Sequence, residues 1–221
     1  LEKMITRQNE TNAETVLPIM EYYYEEKKNN KKIIGLNGNK NVILTGKEAL
    51  IESLNWNIHG FALFKSNLIK KEKFPEDAFD SDEFITRKLF FKSNKLVFSE
   101  GVFYYRKDNT KSITNTFSDK NFTTLNTYKR LYDLLVSAKV EKKYLIRQKI
   151  EILDAYLKYQ QKIKTFTFDN EYKKDSVVKY LFLFKKTFIE EQLHIKNINR
   201  AILTLKFKNK IRNIFISKYL K

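Results

Sequence analysis

Helix-breaking residues stop partway along this chain: the last of its two prolines is Pro75 and the last of its five glycines is Gly101. From 102 to 221 no residue type obliges the backbone to break, so long helices with short polar connections are favoured. Apolar spacing in that half agrees. Ile146, Ile150, Leu153 and Leu157 recur at i, i+4, i+7 and i+11; Val177, Leu181, Phe184 and Phe188 repeat the interval; Ile195, Ile198, Ile202 and Leu205 give a third stripe. Each is the period of a helix with one buried face. Residues 119–221 are therefore expected to form an all-helical region.

Up to about residue 115, strand and helix signals interleave. Leu1 to Ile5 begins as a helix with no capping residue ahead of it. Residues 15–24 are aliphatic and aromatic, as in a strand, and Pro18 belongs at an edge or a bulge because it has no N–H to give. Residues 35–39 form a turn cluster and 41–44 a short strand. Thr45-Gly46-Lys47-Glu48 is a capping box, opening a helix with Leu50, Ile51 and Leu54 on its buried face. A second helix is expected over 82–92, then two short strands, 95–98 and 102–105, around Gly101. The fold class read from these signals is α/β, with domains at 1–118 and 119–221.

Apolar residues at 42% supply material for a core. No run approaches the stretch of about 18 apolar residues that a membrane span needs, and the absence of cysteine excludes disulfides and thiolate metal sites. The sequence opens without a secretory signal, and the expected location is cytoplasmic. Net charge is +17, and residues 141–221, with 20 basic against 8 acidic side chains, hold +12 of it. Such a tail suits nucleic acid, an anionic membrane or an acidic partner. Nucleic acid is the less expected partner, since zinc spacing and RNA-binding aromatic signatures are missing and Lys greatly outnumbers Arg. Residues 201–221 carry six basic residues and no acidic one, so 195–221 reads as a basic amphipathic helix. It would lie peripherally on the inner face of a plasma membrane or pack with a solvated cationic back.

The residues able to carry chemistry fall between Asn55 and Thr114. Trp56-Asn57-Ile58-His59-Gly60-Phe61-Ala62-Leu63-Phe64-Lys65 is followed by Phe74-Pro75, by Asp80-Ser81-Asp82-Glu83-Phe84, and by Tyr104-Tyr105-Arg106 with Ser112-Ile113-Thr114. In this order and at these intervals, residues 1 to 115 resemble the C-terminal, acceptor-side half of glycosyltransferase family 2. The resemblance implies part of a GT-A-type fold. It implies an inverting enzyme that moves a sugar from a nucleotide-sugar donor to a glycan or lipid-linked acceptor, as in the building of bacterial lipopolysaccharide or capsule. It also implies that Asp82 is the general base; Ser81 stands where the family more often has Glu. A complete member would add a nucleotide-binding half ahead of Leu1, with an Asp-x-Asp motif holding Mn or Mg. Asp80-Ser81-Asp82 spells that pattern too late in the fold, so this chain is assigned no metal ligand and no cofactor of its own.

Residue chemistry refines the candidates. Helical phase groups Asp82 with Ile85 and Leu89 on the packed side, and Glu83 with Arg87 in a solvent-side ion pair. A helix N-terminus favours negative charge at Asp82; the alternative is that Asp80 or Asp82 simply caps the helix. Trp56 either stacks its indole on a sugar or fills core. His59 lies on the acceptor-side loop or is structural. Arg106 either holds a diphosphate or charged acceptor with paired hydrogen bonds or ends a strand in solvent. Ser112 completes the donor- or acceptor-binding set.

Overall fold

The computed structural model describes residues 1–24, 31–108 and 116–206. Two compact units make up the chain, one from 1–75 with 81–117 and the other from 76–80 with 118–221.

The first unit is built around β1 (Thr15–Tyr23). Two short antiparallel strands, β2 (Lys32–Ile33) and β3 (Leu63–Phe64), share one edge of it, and β4 (Leu96–Arg106) runs parallel to it along the other. Helix α1 (Glu2–Thr11) covers one face, where Met4 and Ala13 pack with Val16 and Val97. On the other face Leu17, Leu96 and Phe98 meet Ala49 of α2 (Gly46–Leu54), Ile58, and Phe90 of α4 (Ser81–Lys92). A one-turn helix, α3 (Ser66–Ile69), follows β3. Burial on both faces explains why residues 15–20 are apolar almost without alternation. The unit is mixed α/β, but a sheet this small is not the GT-A architecture that the resemblance implies.

Pro18 lies at a bulge, and β1 is central rather than an edge. Leu17 pairs with Phe98 and Ile19 with Val102, so Pro18 alone stands opposite Ser99, Glu100 and Gly101. The missing N–H is absorbed there: the Ser99 hydroxyl donates to the Leu17 carbonyl at 3.4 Å and accepts from Gly101 at 3.3 Å. Residues 95–105 therefore form one irregular strand, not two. The expected strand at 41–44 shrinks to one bridge between Leu44 and Leu96, because residues 41–43 sit in turn and coil.

The Thr45 capping box forms as its residue types dictate, Glu48 N–H donating to Thr45 Oγ1 and Thr45 N–H to the Glu48 carboxylate. Gly46, next in line, touches the end of α4. A Cβ on it would stand 2.3 Å from the Phe91 carbonyl oxygen and 2.5 Å from that of Ser93. The backbone at the start of α2 thus runs against carbonyls at the end of α4, a close approach that a methyl group would wedge apart. Gly46→Ala is expected to cost at least about 1–3 kcal/mol, read as a lower urea midpoint. An unchanged midpoint would contradict the close approach.

The second unit is helical within the described residues. A 3₁₀ turn (Asp119–Thr123) leads into α5 (Thr124–Ser137), α6 (Lys142–Lys162) and α7 (Glu171–Phe184), which continues as a π-helix over Lys185–Gln192; residues 198–206 form α8. Segment 76–80 belongs here: both Asp77 carboxylate oxygens accept from Arg130 at 2.8 and 2.9 Å, and Thr123 Oγ1 accepts from Phe79 N–H at 3.0 Å. Leu181, Phe184 and Phe188 are buried as their spacing predicts. The core face of α6 is turned from the expected stripe: Gln148, Ile152, Leu153 and Tyr156 are buried, while Ile146, Ile150 and Leu157 are half-buried. Gln148 is admitted because its amide donates to the Tyr128 carbonyl at 3.2 Å. Ile198 and Ile202, of the stripe expected either to face a membrane or to pack, are buried in this unit. The basic residues from Lys208 onward lie outside the described residues. Among those described, no helix is long and apolar enough to cross a membrane.

Candidate functional site

A cavity of about 470 Å³ opens in the first unit between β1, the loop after α2, α4 and the end of β4. That volume lies in the range of small-molecule sites. The loop owes its position to the bulge at Pro18. The Pro18 carbonyl is taken by His59, whose Nε2 lies 2.8 Å away, and Gly60 lets the chain run close to α4, where a Cβ would meet Thr86 at 3.1 Å.

A carbonyl can only accept, so His59 Nε2 carries the proton and donates it. Burial, with only 4% of the residue exposed, pushes the His59 pKa below its usual value, opposed by the backbone of Pro18 and of Phe61. The neutral ring then presents Nδ1 as an acceptor. This nitrogen is buried and has no hydrogen bond of proper geometry.

Trp56 has left-handed backbone, φ +56°, and is 61% exposed. A bulky residue in that region costs about 1–2 kcal/mol, and the conformation directs the indole outward, to the cavity rather than into core. The Arg87 guanidinium lies 5.4 Å from the ring centroid.

Asp82 and Glu83 both lie on the cavity, which differs from the inward and solvent-side facing expected of them. Glu83 pairs with Arg87 as the i,i+4 spacing requires, but Arg87 is buried at 7% exposure, and the pair lines the cavity instead of facing solvent. Arg87 also donates to the Glu83 carbonyl at 2.9 Å and to the Ser53 carbonyl at 3.3 Å, leaving its Nε buried and unpartnered. Asp82 is exposed although Ile85 and Leu89, in phase with it, are buried as expected, because it stands in the first turn of α4, ahead of the packed part of the helix. It lines the cavity and makes no hydrogen bond or ion pair among the described residues. Neither oxygen of Asp82 caps the helix there.

The opposite wall is aromatic. Phe61 stacks on Phe103 at 4.1 Å and lies 5.5 Å from Tyr105, and Tyr105 meets Tyr22 edge-on at 6.1 Å. Lys107 Nζ sits 4.8 Å from the Tyr22 ring and 4.9 Å from the Tyr105 ring.

Trp56, His59 and Asp82 thus meet on one cavity. Arg106 does not line it; its Nε donates to Asp108 at 2.8 Å. Strand alternation sends Tyr105 and Arg106 to opposite faces, so the site receives Tyr105. Ser112 lies outside the described residues. Arg87, Phe61, Tyr22 and Lys107 are further cavity residues that sequence reasoning did not assign to binding. Period-two alternation through Phe103 and Tyr105 was the one signal able to find part of that wall. Among the described residues no group of three His, Asp or Glu side chains converges. No protein-family model matches the chain, and no curated protein matches it.

Proposed function

We propose that this chain supplies the acceptor side of an inverting glycosyltransferase, acting in bacterial surface-polysaccharide assembly at the cytoplasmic face of the plasma membrane. One observation carries the reading: Trp56, His59 and Phe61, then Phe74, Asp82 and Tyr105, from four stretches separated in sequence, line a single cavity. The partners are a nucleotide-sugar donor and a glycan or lipid-linked acceptor.

Asp82 takes the proton of an acceptor hydroxyl while that oxygen attacks the anomeric carbon of the donor. The bond from that carbon to the nucleoside diphosphate breaks, and its electron pair leaves with the diphosphate oxygen. A single displacement inverts the anomeric configuration. Lys107 takes the role first given to Arg106, a cation on the cavity facing the charge that develops on the diphosphate. No step is routed through a metal.

Incubating the protein, as its gene encodes it, with UDP-, GDP- and dTDP-sugars and surface-glycan acceptors tests this. Transfer with a product anomeric configuration opposite to the donor's is expected, read from ¹H NMR coupling constants. Retained configuration, or no transfer from any donor, would overturn it.

A further inference from the structure

Cations of the second unit are commonly paired within it. Arg130 meets Asp77, Arg147 meets Glu151, Lys185 meets Glu190 and Lys206 meets Asp154. One group departs from this pattern. Lys149, His194, Lys196 and Arg200 line a single cavity of about 350 Å³, and no acidic side chain lines it with them. None of the four side chains makes an ion pair or a hydrogen bond among the described residues. No acidic side chain follows Glu191 in the sequence, so the basic run beyond α8 brings no carboxylate side chain to balance them.

Three elements bring these residues together. Lys149 lies in α6. His194 and Lys196 lie in the connection that leaves the π-helix, where a φ of +56° at His194 turns the chain. Arg200 stands in the first turn of α8, its N–H donating to the Asn197 Oδ1 at 3.0 Å. Lys149 is the informative member. It is half-buried, with Nζ 5.6 Å from the Tyr132 ring centroid, and burial pushes its pKa below the usual lysine value. A half-buried ammonium without a counter-ion is unfavourable, and further cations on the same cavity add repulsion. An anion relieves both.

The donors restrict which anion fits. Lysine and arginine side chains only donate, and Asn197, with its oxygen taken, leaves its amide NH₂ as a further donor. A carboxylate brings one negative charge against three permanent cations. A phosphoryl group brings about −1.5 to −2 at neutral pH and three strong acceptor oxygens, and a planar guanidinium holds two such oxygens in parallel. Leu193 and Leu205 add apolar lining for the carbon skeleton of an organic phosphate.

We propose that Lys149, Lys196 and Arg200 form a binding site for the phosphoryl group of a phosphate ester or diphosphate, with His194 and Asn197 adding N–H donors. The site shares no lining residue with the cavity of the first unit. It goes beyond the glycosyltransferase reading and stands or falls without it.

The test is calorimetric titration of the full chain at about 0.15 M ionic strength, where general attraction to a basic protein is screened beyond about 8 Å. The soluble probes are inorganic pyrophosphate and glycerol 3-phosphate, with acetate as the carboxylate control; flotation with vesicles containing phosphatidic acid presents the same group on a lipid. Saturable binding of a phosphate at a single site is expected, with no response to acetate. Lys149→Gln and Arg200→Gln each weaken it about tenfold or more, the size of one charge-assisted hydrogen bond. Arg200 is exposed, so its replacement leaves the fold intact. Lys186→Gln removes the same charge from an exposed position outside the lining and leaves binding unchanged. Capture of a soluble phosphate identifies a free ligand. Vesicle recovery that needs Lys149 and Arg200, without soluble binding, identifies a lipid headgroup. Failure of all three phosphates to bind, equal binding of acetate, or cavity variants that lose no more than Lys186→Gln overturns the proposal.

Discussion

Asp82→Asn lowers sugar transfer by about 10²–10⁴-fold, the usual contribution of a positioned general base, while acceptor binding changes little. The expectation rests on where the carboxylate lies. Asp82 stands in the first turn of α4, exposed to the cavity and free of partners among the described residues, so its oxygens are available to an incoming hydroxyl. Asparagine keeps the shape and one acceptor oxygen but cannot take up the proton. Acceptor KM should therefore stay close to wild type while kcat falls, the signature of an interaction made in the transition state. Asp82→Glu shifts the carboxylate by one methylene and should recover part of the rate. Glu83→Gln offers a contrast: it unpairs the buried Arg87 guanidinium and is expected to lower stability as well as activity. Wild-type kcat in Asp82→Asn would remove Asp82 from the mechanism.

Phe90→Ala is expected to destabilise the first unit by about 3–5 kcal/mol, a large part of the roughly 5–15 kcal/mol that holds a domain folded. The ring is fully buried among Leu17, Leu96 and Phe98 and lies 5.9 Å from the Phe64 ring. Truncation forfeits both the apolar transfer and the packing of its neighbours. Because Phe90 also lines the cavity, the hole would join the site, and acceptor binding should weaken with stability. Urea unfolding followed by Trp56 fluorescence reports this unit, since Trp56 lies within it. A loss below about 1 kcal/mol is inconsistent with a core centred on this ring. Phe90→Leu, which keeps most of the volume, should cost much less.

Parts of both units were legible from local pattern. The capping box at Thr45 is decided by residues three apart, so nothing distant can override it. Helices dominate the described part of the second unit for a similar reason, since neither proline nor glycine interrupts it. The rotated face of α6 was not legible: four apolar residues marked one stripe, yet Gln148 is buried in place of Ile146 because the Tyr128 carbonyl, on another helix, satisfies its amide. The strand expected at 41–44 likewise depended on a partner, and β4 meets it only at Leu44.

At the site, motif order marked Trp56, His59 and Asp82, but helical phase alone misplaced the two carboxylates of α4. Phase divides a helix into faces without saying which face carries a buried cation. Arg87 decided this for Glu83, because a guanidinium held by the Glu83 side chain, the Glu83 carbonyl and the Ser53 carbonyl can be buried where an unpaired one could not. Asp82 shares the phase of buried Ile85 and Leu89 but stands in the exposed first turn. Arg106 failed for the opposite reason. A strand alternates its faces strictly, and once Phe103 and Tyr105 join the aromatic wall, the residue between Tyr105 and Lys107 must point away.

Alone, the amino-acid sequence determined which segments become helix or strand wherever the governing interaction is short in range: the cap at Thr45, the breaker-free helices, the bulge forced by Pro18. Tertiary structure alone decided which side chains share the cavity. The Pro18 bulge frees a carbonyl, that carbonyl captures His59 from 41 residues away, and the captured loop brings Trp56 to Arg87. Hydrogen bonds of that separation leave no periodic trace in a sequence, since each partner is set by how the elements pack and not by its neighbours along the chain.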